Sequence, residues 1–182
     1  MIVAIDPSLT GLAIVCGNDV GQFQSTVFTS ESRGKIVSNR IARFDELIGR
    51  LIDWIEPPHS EFRAIYIEGY ANYNHPATTI ALCEFGGLLR YHLLDVCPKI
   101  YEVAASTLKK FTTGKGGADK AFMAASLTKR YGVMFDNDNQ FDAYGLYRFG
   151  LVAEELSTPT TAFQQEAVEK FLGRKLHSSF TE

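Results

Sequence analysis

Two short apolar runs, each closed by an acid, constrain this chain more than any other feature. Ile2-Val3-Ala4-Ile5-Asp6 and Ala64-Ile65-Tyr66-Ile67-Glu68 show no polar alternation, the pattern of central strands covered on both faces. Such strands need helices above and below them, so an α/β architecture is expected. Leu12 to Cys16 and Gln22 to Thr29 follow the first run after turns at Gly11 and Gly17 to Gly21, which suggests a three-stranded antiparallel meander. Lys99 to Ala104 reads as a further strand, connected to the Ala64 run through a helix over Pro76 to Val96. A βαβ connection makes those two strands parallel, and the sheet is therefore mixed.

Helical periodicity supplies the covering layers. About Lys35 to Ile55 reads as a helix with the stripe Ile41, Phe44, Ile48, Leu51 and Ile55, ended by Pro57-Pro58. Asp119 to Tyr131 and Asn139 to Leu156 read as helices, the first stopped by Gly132. Thr161 to Leu172 is a last amphipathic segment, opened by a Thr161-x-x-Gln164 capping pair. The 182 residues suit one domain, with 1–157 as its body and 158–182 as a helical extension.

Apolar residues at 46% and charged residues at 21% fit a globular protein rather than a disordered or fibrous one. No apolar run has membrane-spanning length and the opening residues lack a signal-peptide pattern, so the expectation is a soluble cytoplasmic protein. Cys16, Cys83 and Cys97 form no C-x-x-C pair and no histidine lies in an H-E-x-x-H arrangement, which argues against zinc and against a disulfide framework. The net charge of −3 is unevenly spread: from Lys99 to Arg130 seven Lys/Arg face only Glu102 and Asp119. That local surplus of positive charge points to an anionic partner.

Asp6 and Glu68 end their strands on the side of a parallel sheet where ligands bind. If the strands are neighbours, about 4.8 Å apart, the two carboxylates repel unless a cation lies between them. Asp142 shares a helical stripe with Leu146, Phe149, Ala153 and Leu156, which turns it toward the same interior. Oxygen ligands without Cys or His favour Mg²⁺ or Mn²⁺. The plainer alternatives are a turn at Asp6-Pro7-Ser8, a strand-end charge at Glu68, and a helix cap over Asn139-x-x-Asp142 with Asn139 at the N-cap.

Leu108 to Lys120 is a glycine-rich stretch with Lys109, Lys110, Lys115 and Lys120, leading into a helix N-terminus suited to phosphate. Gly114-Lys115-Gly116-Gly117 lacks the spacing of a nucleotide-binding P-loop, so no nucleotide cofactor is implied. Tyr70 and Tyr73, soon after Glu68, are either base-stacking groups or ordinary loop aromatics. His75 before Pro76 reads as a turn residue, and Gly86-Gly87 within a helix suggests a close helix contact.

Taken together, these residues resemble the RuvC-type Holliday junction resolvases of the RNase H-like superfamily, particularly the short phage forms. Ile5-Asp6-Pro7-Ser8-Leu9-Thr10-Gly11 resembles the first-strand motif, and Ile65-Tyr66-Ile67-Glu68 the second acidic strand. Lys109 to Lys120 resembles the lysine and glycine loop, and Asp142-Ala143-Tyr144-Gly145-Leu146 the opening of the last catalytic helix. The likeness covers about residues 1 to 150. It departs where the family often has a fourth acid, because here that position is Asn139, preceded by Asp138. A second departure is Ala71, standing where bacterial members tend to carry an aromatic.

The resemblance implies a mixed five-stranded sheet flanked by helices, a homodimer built partly on the Gly86-Gly87 helix, and cleavage of four-way DNA junctions. Asp6, Glu68 and Asp142, with Asn139 or Asp138, would hold two Mg²⁺ ions about 4 Å apart, with Mn²⁺ a possible substitute. Lys120 would join them in catalysis, and Lys109, Lys110 and Lys115 would bind DNA. The products would be paired nicks with 5′-phosphate and 3′-hydroxyl ends. A junction-binding protein without turnover and a nuclease for flaps or general branched DNA are the alternatives.

Overall fold

The computed structural model describes residues 1–32, 34, 36–55, 62–70 and 76–177. Five strands, β1 (Ile2–Asp6), β2 (Leu12–Gly17), β3 (Phe23–Phe28), β4 (Ala64–Glu68) and β5 (Ile100–Val103), form one sheet in the order β3-β2-β1-β4-β5. The meander β1-β2-β3 is antiparallel, and β4 and β5 add to β1 in parallel. This is the mixed five-stranded sheet expected. Among the described residues, no helix is long and apolar enough to cross a membrane.

Period-two alternation gives the inner strands β1, β2 and β4 two buried faces, and the two sets of side chains enter separate cores. Val3, Ile5, Leu12, Ile14, Ile65 and Ile67 pack against α1 (Val37–Trp54) and α2 (Pro76–Val96). Ile2, Ala4, Ala13, Val15, Ala64 and Tyr66 face the other layer. That layer is built from α3 (Ala105–Thr113), α4 (Lys120–Tyr131), α5 (Asp138–Ala153) and α6 (Ala162–Leu172). By the same alternation Asp6 and Glu68, at even positions, share the face of Ala4 and Tyr66. The acids therefore look toward α5, the helix that crosses β1, β2 and β4.

Several sequence expectations shift. Helix α1 begins at Val37, Lys35 and Pro57-Pro58 lie outside the described residues, and Ile41 is exposed while Leu47 takes its place in the buried stripe. Helix α3 was not foreseen: Ser106, Thr107, Thr112 and Thr113 are poor helix formers, and only Leu108, Phe111 and Thr112 are buried. Helix α5 starts one residue early, at Asp138, and ends at Ala153, short of Leu156. Its N-cap is Asn137, whose side chain accepts from the Asn139 N–H, so Asn139 is not the cap. Every residue from Phe141 to Ala153 is buried, so the stripe drawn through Asp142 does not separate an inner from an outer face. Asp142 is buried because the whole helix is.

Glu154, just past α5, fastens that helix at the end away from Asp6. Its carboxylate accepts from Arg63 at 3.0 Å, Lys99 at 2.9 Å and the Tyr66 hydroxyl at 3.1 Å. Burial alone would raise its pKa, but these donors hold it below the ordinary glutamate range. Arg63 and Lys99 precede β4 and β5, so this staple lies at the N-terminal edge of the parallel strands.

Candidate active site

The parallel register of β1 and β4 pairs Ile5 with Ile67, which leaves Asp6 and Glu68 side by side at the next position. Asp6 is 5% exposed and Asp142, in the second turn of α5, is 6% exposed. Burial pushes the Asp6 carboxyl well above the usual aspartate range, and the charges of Glu68 and Asp142 push it further. Glu68 is raised chiefly by burial, tempered by a hydrogen bond with Asp6. Two carboxyl groups can share such a bond only if one keeps a proton. Asp142 is also raised by burial, against the lowering effect of Lys120.

A cation is already part of this arrangement. The Lys120 ammonium lies 3.1 Å from Asp142 Oδ2 and 3.4 Å from Asn139 Oδ1. Burial works against its charge, but Asp142, Asp6 and Glu68 outweigh that and raise its pKa. Lys109, on α3, is half-buried and lowers the pKa of both Glu68 and Asp142. The asparagine has a fixed orientation: its amide NH₂ donates to the Gly11 carbonyl at 2.8 Å, which leaves Oδ1 for the Lys120 side. Asp138 is exposed and reaches Asp142 only through its charge.

The donor set suits a hard divalent cation: carboxylate oxygens, one amide oxygen, mutual repulsion and little water to screen it. Among the described residues, however, no three Asp, Glu, His or Cys side chains form a ready metal cage. Asp6 and Glu68 are bonded to each other and Asp142 to Lys120, so ligation requires those contacts to be exchanged.

The loop around Lys115 is held from beneath by α6. Gly114 has a left-handed backbone (φ 80°), and a Cβ there would stand 3.3 Å from the Phe163 ring. Arg130 donates to the Thr112 carbonyl at 2.8 Å and covers Phe163 at 5.1 Å. Gln164 donates to the Tyr131 hydroxyl at 2.7 Å, so α6 fastens both helices that flank the loop. The sequence pattern gave α6 no part in the site, because its contacts with Gly114, Arg130 and Tyr131 cross more than thirty positions.

Of the other residues singled out from sequence, Lys115 is exposed on the loop, whereas Lys110 is bound to Glu166 at 2.6 Å. Lys99 sits at the Glu154 staple and Arg130 at the loop hinge. Of the positive surplus counted along the chain, Lys109 and Lys120 are the cations whose charges act on the carboxylates. Tyr70 is 49% exposed, with the Arg90 guanidinium 4.3 Å from its ring centre. Arg90 is fixed in turn by Glu102 at 2.7 Å and by the Gly86 carbonyl at 3.0 Å. A Cβ on Gly86 would strike the Tyr70 ring at 2.7 Å, so this glycine makes room for its own chain rather than for another helix. Ala71, Tyr73 and His75 lie outside the described residues.

No family model matches the chain, and no curated protein matches it by sequence. Solved structures do. A Thermus thermophilus RuvC in complex with a Holliday junction substrate matches with a TM-score of 0.63 at 15% identity, over 85% of this chain and 94% of that one. A second T. thermophilus RuvC structure matches with a TM-score of 0.58 at 16% identity, over 94% of this chain and 96% of that one. The chain has the RuvC fold.

The crowding of carboxylates has a measurable cost. For an acid whose folded pKa is raised, the stabilising contribution is complete below the ordinary carboxylate range and is lost as pH rises through the raised value. Asp6→Asn keeps a hydrogen-bond donor for Glu68 while removing a charge. In EDTA at pH 7.5 it is expected to stabilise the protein by about 1–2 kcal/mol, roughly 3–6 °C in melting temperature. The difference should shrink toward pH 4 in thermal melts. A variant less stable than the parent at pH 7.5 would mean that the carboxylates are not in conflict.

Proposed function

We propose that this protein is a metal-dependent endonuclease that cuts four-way DNA junctions by paired nicks. The observation that supports the reading most is the meeting of three desolvated carboxylates from β1, β4 and α5 beside Lys109 and Lys120, in a RuvC fold. One neighbour with that fold is bound to a Holliday junction substrate. Asp6, Glu68 and Asp142, with the inward oxygen of Asn139, would hold Mg²⁺ or Mn²⁺, whose chemistry when bound is Lewis-acid activation of water and of the phosphodiester. Between the two groups named from sequence, orientation favours Asn139 as the added oxygen donor, leaving Asp138 as a more distant charge.

The protein's own groups do the rest. Lys120, seated against Asp142, offsets negative charge developing on the phosphoryl oxygens, and Lys109 does so from the α3 side. Lys115 contacts a flanking phosphate and fixes register rather than sequence. In-line attack by water breaks the P–O3′ bond, so the phosphate stays on the 5′ end and the leaving strand keeps a 3′-hydroxyl.

Paired nicks imply two sites. Helix α2 leaves Ile80, Tyr91 and Leu94 exposed at 59%, 68% and 55%, on one helical stripe with Gly87, beside which a Cβ would meet open space. A second copy packed on this stripe by two-fold symmetry would present two sites to a two-fold junction. Sedimentation should give a dimer for the parent and a monomer for Leu94→Glu; a monomeric parent would remove the paired-nick geometry.

The central assay incubates labelled four-way junction, flap and linear duplex with the protein in Mg²⁺. Symmetric nicking of the junction, abolished by EDTA, is expected. Asp6→Asn and Asp142→Asn should each lose more than roughly a hundredfold in rate, beyond what loss of a supporting contact costs, while still binding the junction. Preferred cutting of flaps would reassign the substrate, and binding without cutting would make the protein a junction-recognition module.

A further inference from the structure

Phe122 takes no part in the reading above, yet it stands two residues after Lys120 in α4, beside the loop that carries Lys115. It is in the first turn of α4 and is 46% exposed. Its backbone is fixed, because its N–H donates to Asp119 Oδ1 at 2.7 Å and its neighbour Met123 is buried. The Lys115 ammonium stands 5.9 Å from its ring centre. The Lys115 backbone is held too: its own N–H donates to Thr113 Oγ1 at 3.1 Å, Ala118 beyond it is buried, and Gly114 before it rests on Phe163.

A single exposed apolar side chain is ordinary on a protein surface. A phenyl ring presented with a cation on a rigid turn, two residues from a lysine that touches the acidic site, is a more specific arrangement. Single-stranded nucleic acid offers the matching pair of features: a base with a π face and a phosphate beside it. Continuous duplex does not, because its bases are already stacked.

We propose that Phe122 and Lys115 form a clamp for one DNA strand, the ring stacking on a base left unpaired at the branch point and the ammonium holding the adjacent phosphate. The clamp rests on the junction-nuclease reading and deepens it by naming residues that separate branched from continuous DNA. Phe122 acts in binding and in strand placement, and it touches no reacting atom.

The test uses the full-length Asp6→Asn protein in EDTA so that no cutting intervenes. A four-way junction carrying 2-aminopurine at the branch point and a linear duplex of the same sequence are titrated with this parent and with Phe122→Ala, Phe122→Leu, Phe122→Tyr and Lys115→Ala added to it. Thermal melts verify folding. Phe122→Ala and Phe122→Leu are expected to weaken junction binding roughly tenfold, the size of one lost base–aromatic stack, while duplex binding stays within about twofold. Phe122→Tyr should retain affinity, and the 2-aminopurine quenching seen with the parent should disappear with Leu. Lys115→Ala should weaken binding and reduce its salt dependence. Unchanged junction affinity and unchanged quenching in Phe122→Ala would overturn the clamp, as would an equal loss on junction and duplex. A parent that binds no junction would overturn the functional reading itself, an outcome recognisable before any Phe122 variant is examined.

Discussion

Three carboxylates brought into one poorly hydrated niche must be compensated by something positive, and the rest of the molecule is arranged around that requirement. Like charges at strand spacing repel strongly where water cannot screen them. The conflict is met in two ways: Asp6 and Glu68 share a hydrogen bond, and Lys120 places its ammonium against Asp142. In the proposed function a divalent cation would take the place of both. The same lysine, once released from Asp142, would be near a bound phosphate.

Holding such a niche open needs a rigid frame, and α5 provides it. The helix is buried on every side and lies across the central strands, with Asp142 near its start and Glu154 just past its end. The two acids have opposite environments. Glu154 is surrounded by donors and its pKa falls; Asp142 is raised by burial despite Lys120. One end is a structural staple, and the other carries the strain that the site uses. On the α4 side, α6 fixes the lysine loop by seating Phe163 under Gly114, which gives the segment after residue 157 a role in placing that loop.

Much of this was legible in the sequence. Unbroken apolar runs closed by acids marked the central strands, and their ends marked Asp6 and Glu68 as partners if those strands were neighbours, which the register of β1 and β4 makes them. The order of the four motifs led to the RuvC-type fold that the structural neighbours share. What escaped was whatever depends on long-range contacts. Helix α3 has weak propensity and is held by packing. Gly86 appeared to invite another helix, whereas it accommodates Tyr70. The lysine count along the chain could not reveal that Lys110 and Lys99 are bound elsewhere by Glu166 and Glu154. Nor could it give the orientation of the Asn139 amide, which depends on Gly11, 128 residues away.

The central claim is that Asp6, Glu68 and Asp142 enclose a divalent cation. Crystals grown with Mn²⁺, with diffraction recorded at the manganese absorption edge, test it most directly. The account predicts anomalous density bounded by those three carboxylates and the Asn139 oxygen, with Lys120 withdrawn from Asp142. Crystals that bind manganese elsewhere, or leave the Lys120–Asp142 contact intact with no density between the acids, would contradict it.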